Sequence, residues 1–317
     1  MTTKKSPTEE ELLEYFTTLN NWGRWGKDDT LGTLNLVTPE KRAQAARLVQ
    51  RGISVGCARP IVRDLSAPAH VPQPMHLMIE SGEAFVSPAS AERGPTQFTN
   101  DYVGLPLHFP TVTHIDALSH VHWEGKMYNG HPSELVTTIQ GAKVHDIDSL
   151  KDGFVTRGVL LDITKVRGKQ WFDPGEAVFP EDLEAAEKAQ GVRVEEGDAM
   201  LVRIGWFKRG IELGPSPRSE GLPGLNAAVI PWLHQRGVAL IGTDGTQDAR
   251  PNGYKNFSAP VHQVGIVAMG LWLLDDGNFE GLAQTCQELN RWEFLFMLSP
   301  LRIPGATASP VTPLAMF

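Results

Sequence analysis

RGVLLDIT (Arg157–Thr164), FPEDLEAAEKAQGV (Phe179–Val192) and DAMLVRIGW (Asp198–Trp206) are the consecutive segments whose reading decides the fold. The first and third are apolar runs of strand length. The second has the mixed charged and apolar pattern of a helix and is closed by Gly191. The alternation continues downstream. PGLNAAVIPWLHQRG (Pro223–Gly237) reads as a helix, VALIGTD (Val238–Asp244) as a strand, APVHQVGIVAMG (Ala259–Gly270) as a helix and LWLLD (Leu271–Asp275) as a strand. The expected class is therefore α/β, with a mixed sheet that has a parallel component and is covered by helices.

Working outward, Ser6 is expected as the N-cap of a first helix, with Pro7 at its opening position and Glu9 placed for a capping box. Leu12, Leu13, Phe16 and Leu19 give that helix an apolar face. Thr38 caps a second helix, Pro39 opens it and Gly52 closes it. Trp22 and Trp25, between the two, read as packing residues before substrate contacts. From Ser54 to about Val112 the pattern is one of short strands and irregular loops, with Met75, His76 and Met78 expected in packing. Pro300, Pro304, Pro310 and Pro313 exclude a long helix at the carboxyl end, which is expected to run as strand segments and loops. Residues 1–317 are expected to form a single domain, with a helical segment over about 6–52 packed on it.

The chain has 317 residues, 41% of them hydrophobic, which suits a large globular core. A net charge of −8, with no run of Lys and Arg, argues against a nucleic-acid partner. Cys57 and Cys286 lie far apart with no CxxC spacing, so neither a disulfide framework nor a thiolate zinc site is expected. The first residues turn acidic where a signal peptide turns apolar, and the run Val264–Leu274 is too short to span a bilayer. A cytoplasmic protein without a membrane partner is the expectation.

THIDALSHVHWEGKMYNG (Thr113–Gly130) concentrates the chemistry. If His114–Asp116 is extended, His114 and Asp116 share one face. His120 follows Asp116 by four residues, beyond the small Ala117 and Ser119, where the chain can turn back. Imidazole and carboxylate together suit Zn, Mn or Fe(II). The residues alone leave a second reading open, in which Asp116 and His120 are an ordinary i, i+4 helical pair. Asp244, in GTDGTQDARPNG, is expected at the carboxyl end of a strand, as either a ligand group or a turn former. His262 and Asp275 alone read as a core histidine and a strand-end acid. Trp123, Lys126, Tyr128 and Asn129 either hold substrate or belong to a tight loop organised by Gly125 and Gly130.

THIDALSH, together with WGRWGKDDTLGTLNLVTPEK, GTDGTQD, APVHQVGIVAMGLWLLDD and PLRIPGATASPVTPLA, resembles the cyclase family that contains bacterial kynurenine formamidase and isatin hydrolase. The resemblance implies a swivelling β/β/α domain and a homo-oligomer, dimer or tetramer. It also implies a divalent metal, Zn or Mn, at one or two per chain. His114 and Asp116 resemble the family's metal ligands, and His120 its proton-transfer histidine. The family's other ligand histidine falls at Pro110, and His108, two residues upstream in HFPTVTH, is the candidate to replace it. His262 and Asp275 resemble the His and Glu that bind a second metal.

The expected activity is hydrolysis of an amide-like C–N bond in a small cyclic amide or aryl formamide, with His120 shuttling the proton. Ester or lactone hydrolysis on the same site is the alternative within the class. A 2-His-1-carboxylate Fe(II) oxygenase would have the same ligand order but belongs on an all-β jelly roll. A noncatalytic metal-binding protein would not need His120.

Overall fold

In the structure, a computed structural model that describes residues 4–63, 71–86 and 95–317, the apolar runs become the parallel centre of a nine-stranded sheet. The strands, in chain order, begin with β1 (Ser54–Gly56), β2 (Met75–Glu80), β3 (Asn100–Gly104) and β4 (His114–Asp116). They continue with β5 (Phe154–Asp162), β6 (Ala199–Arg203), β7 (Leu240–Thr243) and β8 (Trp272–Asp275). The tail supplies β9 (Glu293–Leu298), β10 (Ala308–Pro310) and β11 (Leu314–Met316). The sheet order is β1-β11-β9-β5-β6-β7-β8-β4-β10, with β2 and β3 paired separately.

Neighbours from β5 to β8 run parallel, whereas the flanking pairs are antiparallel. Every residue of β6, β7 and β8 is buried, which is why these strands read as continuous apolar runs without alternation. A parallel centre covered by helices is not a jelly roll.

The connecting helices follow their local signals. They are α1 (Glu9–Thr18), α2 (Pro39–Ala46), α3 (Ile163–Arg167), α4 (Pro180–Gln190), α5 (Trp206–Leu213), α6 (Val229–Arg236), α7 (Pro260–Val264) and α8 (Glu280–Leu289). Helix α4 opens on Pro180 and ends on Gly191, in the left-handed region at φ 64°. Helix α7 continues into a π-helical turn over Gly265–Met269. Such a turn breaks the α-helical hydrogen-bond ladder. Asn21 donates to the carbonyls of Ala268 and Met269, and Trp22 Nε1 donates to that of Val267. Trp22 is thus a packing and capping residue, as expected.

Two helix boundaries differ from the sequence reading. The first helix is capped by Thr8 with Glu11, because SPTE and TEEE both satisfy the capping-box spacing. Ser6 instead accepts from Asn226, and Glu9 holds the backbone amides of Lys255 and Asn256. The second helix is capped by Thr38 but stops at Ala46, well before Gly52. Its last residues loosen into turns, and Arg51 and Gly52 then bond to the carbonyl of Phe317.

The region from Ser54 to Val112 holds short strands as expected, and its residues 64–70 and 87–94 lie outside the described residues. Met75 and Met78 are exposed on β2, and His76 pairs with Asp101 rather than packing. The tail runs as β9, β10 and β11 with loops between them.

Candidate metal centre and active-site pocket

Strand β4 points His114 and Asp116 to one face and buries Ile115 on the other. Its antiparallel pairing with β8 sets Asp275 directly across from His114. After Asp116 the chain turns, with His120 N–H donating to Ala117 C=O, and the His120 ring comes back to the same face. His108, at φ 62°, enters from the preceding loop, and His262 enters from α7. Six groups from four parts of the chain meet here.

Asp116 is at the middle and is 1% exposed. Its Oδ1 lies 2.8 Å from His108 Nδ1 and 3.6 Å from His114 Nε2. Its Oδ2 faces His262 Nε2 at 3.6 Å and His120 Nε2 at 4.0 Å and has no hydrogen-bond partner among the described residues. His262 Nε2 is also 3.4 Å from Asp275 Oδ2. The His108 and His120 rings stack, with centroids 3.6 Å apart and 8° between planes.

The outer hydrogen bonds aim these groups. His114 Nδ1 donates to the Val112 carbonyl, and His262 Nδ1 donates to Asp248 Oδ2 at 2.6 Å, so both rings turn Nε2 inward. Asp248 also accepts from the Val261 and His262 amides at the start of α7. Gln247 Nε2 holds Asp275 Oδ1 at 2.9 Å. His108 is steadied by Thr307 Oγ1 at 3.0 Å, from the tail.

Burial acts on these groups in opposite directions. It is the main influence on His120 and pushes the ring down to about 4, only partly offset by Asp116. For His262, burial is outweighed by Asp248 and Asp275, which hold the ring well above its ordinary value. For His114, burial is outweighed by Asp116, Asp275 and Asp276, and the net shift is upward. Asp116 is pushed up by burial but pulled further down by His120, His108 and His114, and it stays well below the usual carboxylate range.

A divalent cation fits this donor set. His108, Asp116 and His120 form one convergent group, and His114, Asp116 and Asp275 form another, with the ligand atoms in each within 4.8 Å of one another. The partnerless Asp116 Oδ2, buried among inward-turned Nε2 atoms, is the feature that protein hydrogen bonds leave unexplained.

A cavity of about 760 Å³ adjoins the cluster. Val121, Trp206, Phe207 and Leu222 give it apolar walls, and Arg59, Arg209 and Arg250 add charge. The residues from WEGKMYNG do not line it. Trp123 stacks between Phe16 and Phe257, Tyr128 bonds to Asp29, and Asn129 bonds to the carbonyls of Gly26 and Lys27. The tight-loop reading is the one realised, with Gly125 and Gly130 at positive φ. Asp244 stands at the end of β7 but clamps the Ile204 and Gly205 amides, and burial pushes its carboxyl up to about 6. Sequence reasoning missed Gln247 and Asp248. Their one signal was their position in the polar run after β7.

No match is found among curated proteins. Among solved structures, the chain is 31% identical to a novel cyclase, covering 95% of this chain and 100% of that one, with a TM-score of 0.86. An isatin hydrolase bound to the product analogue thioisatinate is 19% identical over 85% of this chain and 93% of its own, with a TM-score of 0.58. A structure described as a predicted metal-dependent hydrolase from Bacillus stearothermophilus is 16% identical over 84% and 98%, with a TM-score of 0.52. The last two establish a shared fold. The Cyclase family matches residues 63–247, more than half of the chain, and the protein belongs to that family.

Proposed function

We propose that the protein is a metal-dependent hydrolase that cleaves an amide-like C–N bond in a small cyclic amide or an aryl formamide. In this reading His108, His114, Asp116, His262 and Asp275 hold one or two Zn or Mn ions. His120 is the proton shuttle. The observation that carries the reading is the buried, partnerless Asp116 Oδ2 facing convergent imidazole nitrogens. The isatin hydrolase of the same fold acts, by its name, on a cyclic amide.

A bound divalent ion supplies Lewis acidity and a water of lowered pKa. The chain's own residues do the rest. Asp248 and the Val112 carbonyl keep the His262 and His114 rings turned inward. Burial keeps His120 neutral near pH 7, the form that accepts a proton from water, and the same ring returns it to the departing nitrogen. Stacking on His108 holds the His120 plane while the proton moves. Trp206 and Phe207 provide a wall against which a ring packs away from water.

The test is the metal content of wild type, Asp116→Ala and His120→Ala by elemental mass spectrometry, with turnover of matched lactam, lactone and formamide substrates. Wild type and His120→Ala are expected to hold metal, whereas Asp116→Ala loses it. Turnover by His120→Ala should fall about 10²- to 10⁴-fold. Metal retained by Asp116→Ala, or none bound by wild type after incubation with Zn and Mn, would overturn the reading. A lactone cleaved faster than its lactam would move it to ester hydrolysis.

A further inference from the structure

The pocket carries positive charge that the metal centre does not use. Arg59 is already neutralised, with Nη1 3.0 Å from Asp276 Oδ1 and its guanidinium over the Phe207 ring. Asp275, the other acid on the wall, is held by His262 and Gln247. Arg209 and Arg250 also line the cavity, and neither has a carboxylate partner among the described residues.

Arg209 is held in place. It sits on α5, whose start is anchored where Asp244 takes the Ile204 and Gly205 amides. Its guanidinium lies over the Trp206 ring, 5.2 Å from the centroid, and Nη1 donates to Ser216 Oγ. Those contacts orient the plane and leave the Nε–Nη2 edge without an acceptor. Nε is buried with no hydrogen-bond partner among the described residues. Two parallel N–H donors along one guanidinium edge are the arrangement that a carboxylate takes with both oxygens. A covered N–H with no acceptor is costly, and an incoming carboxylate removes that cost.

We infer that Arg209, assisted by Arg250, forms an anion subsite, and that the substrate is an aryl or cyclic amide carrying a carboxylate separate from the bond that is cleaved. The inference rests on the hydrolase reading for the identity of that bond. The apolar wall of Trp206, Phe207 and Val121 receives the ring, and Arg209 receives the charge. Arg209 is then a specificity-determining residue that takes no part in bond cleavage.

The experiment is isothermal titration of metal-loaded wild type and Arg209→Gln with 3-phenylpropanoate and its neutral counterpart, 3-phenylpropanamide. Wild type is expected to bind the acid about ten-fold or more tightly than the amide, and Arg209→Gln to lose most of that ratio. Arg209→Lys keeps the charge without the fork and should recover only part of it. An acid preference that survives in folded Arg209→Gln places the carboxylate elsewhere, the metal included, and overturns the inference. No preference in wild type overturns it as well. Turnover of formanilide and of its 3-carboxylate separates the two readings. Acid preference in binding with neither compound hydrolysed refutes the hydrolase and keeps the subsite. Hydrolysis of formanilide with no acid preference in binding refutes the subsite alone.

Discussion

Replacing Asp248 by Ala tests the centre through a residue that need not touch the ion. Asp248 is 1% exposed and accepts three N–H groups: Val261 N at 2.8 Å, His262 N at 3.3 Å and His262 Nδ1 at 2.6 Å. The last bond keeps the ring proton on Nδ1 and leaves the Nε2 lone pair facing Asp116 and Asp275. The charged bond to His262 is worth about 1.5–3 kcal/mol and each amide bond about 1 kcal/mol, so the expected loss of stability is about 3–5 kcal/mol. Loss of the orienting bond should also weaken metal binding about 10- to 100-fold. Urea unfolding of the metal-free protein reads the first effect, and competition with a calibrated chelator reads the second. An unchanged chelator titration in a destabilised variant would make Asp248 a clamp for α7 only. That result would refute His262 as an oriented ligand.

Acid sensitivity should trace in part to His145, outside the metal cluster. Its Nε2 donates to the Tyr128 carbonyl, its Nδ1 is buried without a partner, and burial holds the ring at about 4. The folded value lies below the unfolded one, so this contribution is complete above about pH 6.5 and is lost as pH falls toward about 4, by up to about 3 kcal/mol. His145→Gln should flatten that limb in urea unfolding at paired pH values, and a slope equal to wild type's would disprove the assignment. Gly32→Ala should cost about 2–4 kcal/mol, because Gly32 has φ 56° and a Cβ there would lie 2.1 Å from the Gly270 carbonyl oxygen. Wild-type stability in that variant would mean that the contact between the Gly32 and Gly270 segments opens at little cost. Metal held at 100 times its dissociation constant should stabilise the fold by about 2.7 kcal/mol, visible as a fall in Tm on chelation. An unchanged Tm would count against a resident ion.

Much of the site was legible where its signal is local. His114 and Asp116 share a face because a strand has a period of two, and that pattern lies within three residues. His120 follows through one short turn. His108 was harder, since its spacing differs by two residues from the resembled pattern and only the loop geometry, with φ 62°, shows it beside Asp116. Asp244 and Asp248 look alike in GTDGTQDARPNG, yet one holds the Ile204 and Gly205 amides and the other holds His262. Arg209 belongs to no motif at all. Its role is argued from the acceptor it lacks.

The sequence by itself determined the alternation of apolar strands with helices, the Thr38 and Gly191 boundaries and the HxDxxxH core. These depend on neighbours a few residues away, and backbone geometry relates them directly. Tertiary structure decided that β8 pairs with β4, which sets Asp275 opposite His114, and that Thr307 in the tail steadies His108. It also decided which pocket cations are left unpaired. Sheet order and cross-chain pairing are settled by burying all the faces of the elements at once, and no short stretch of sequence carries that information.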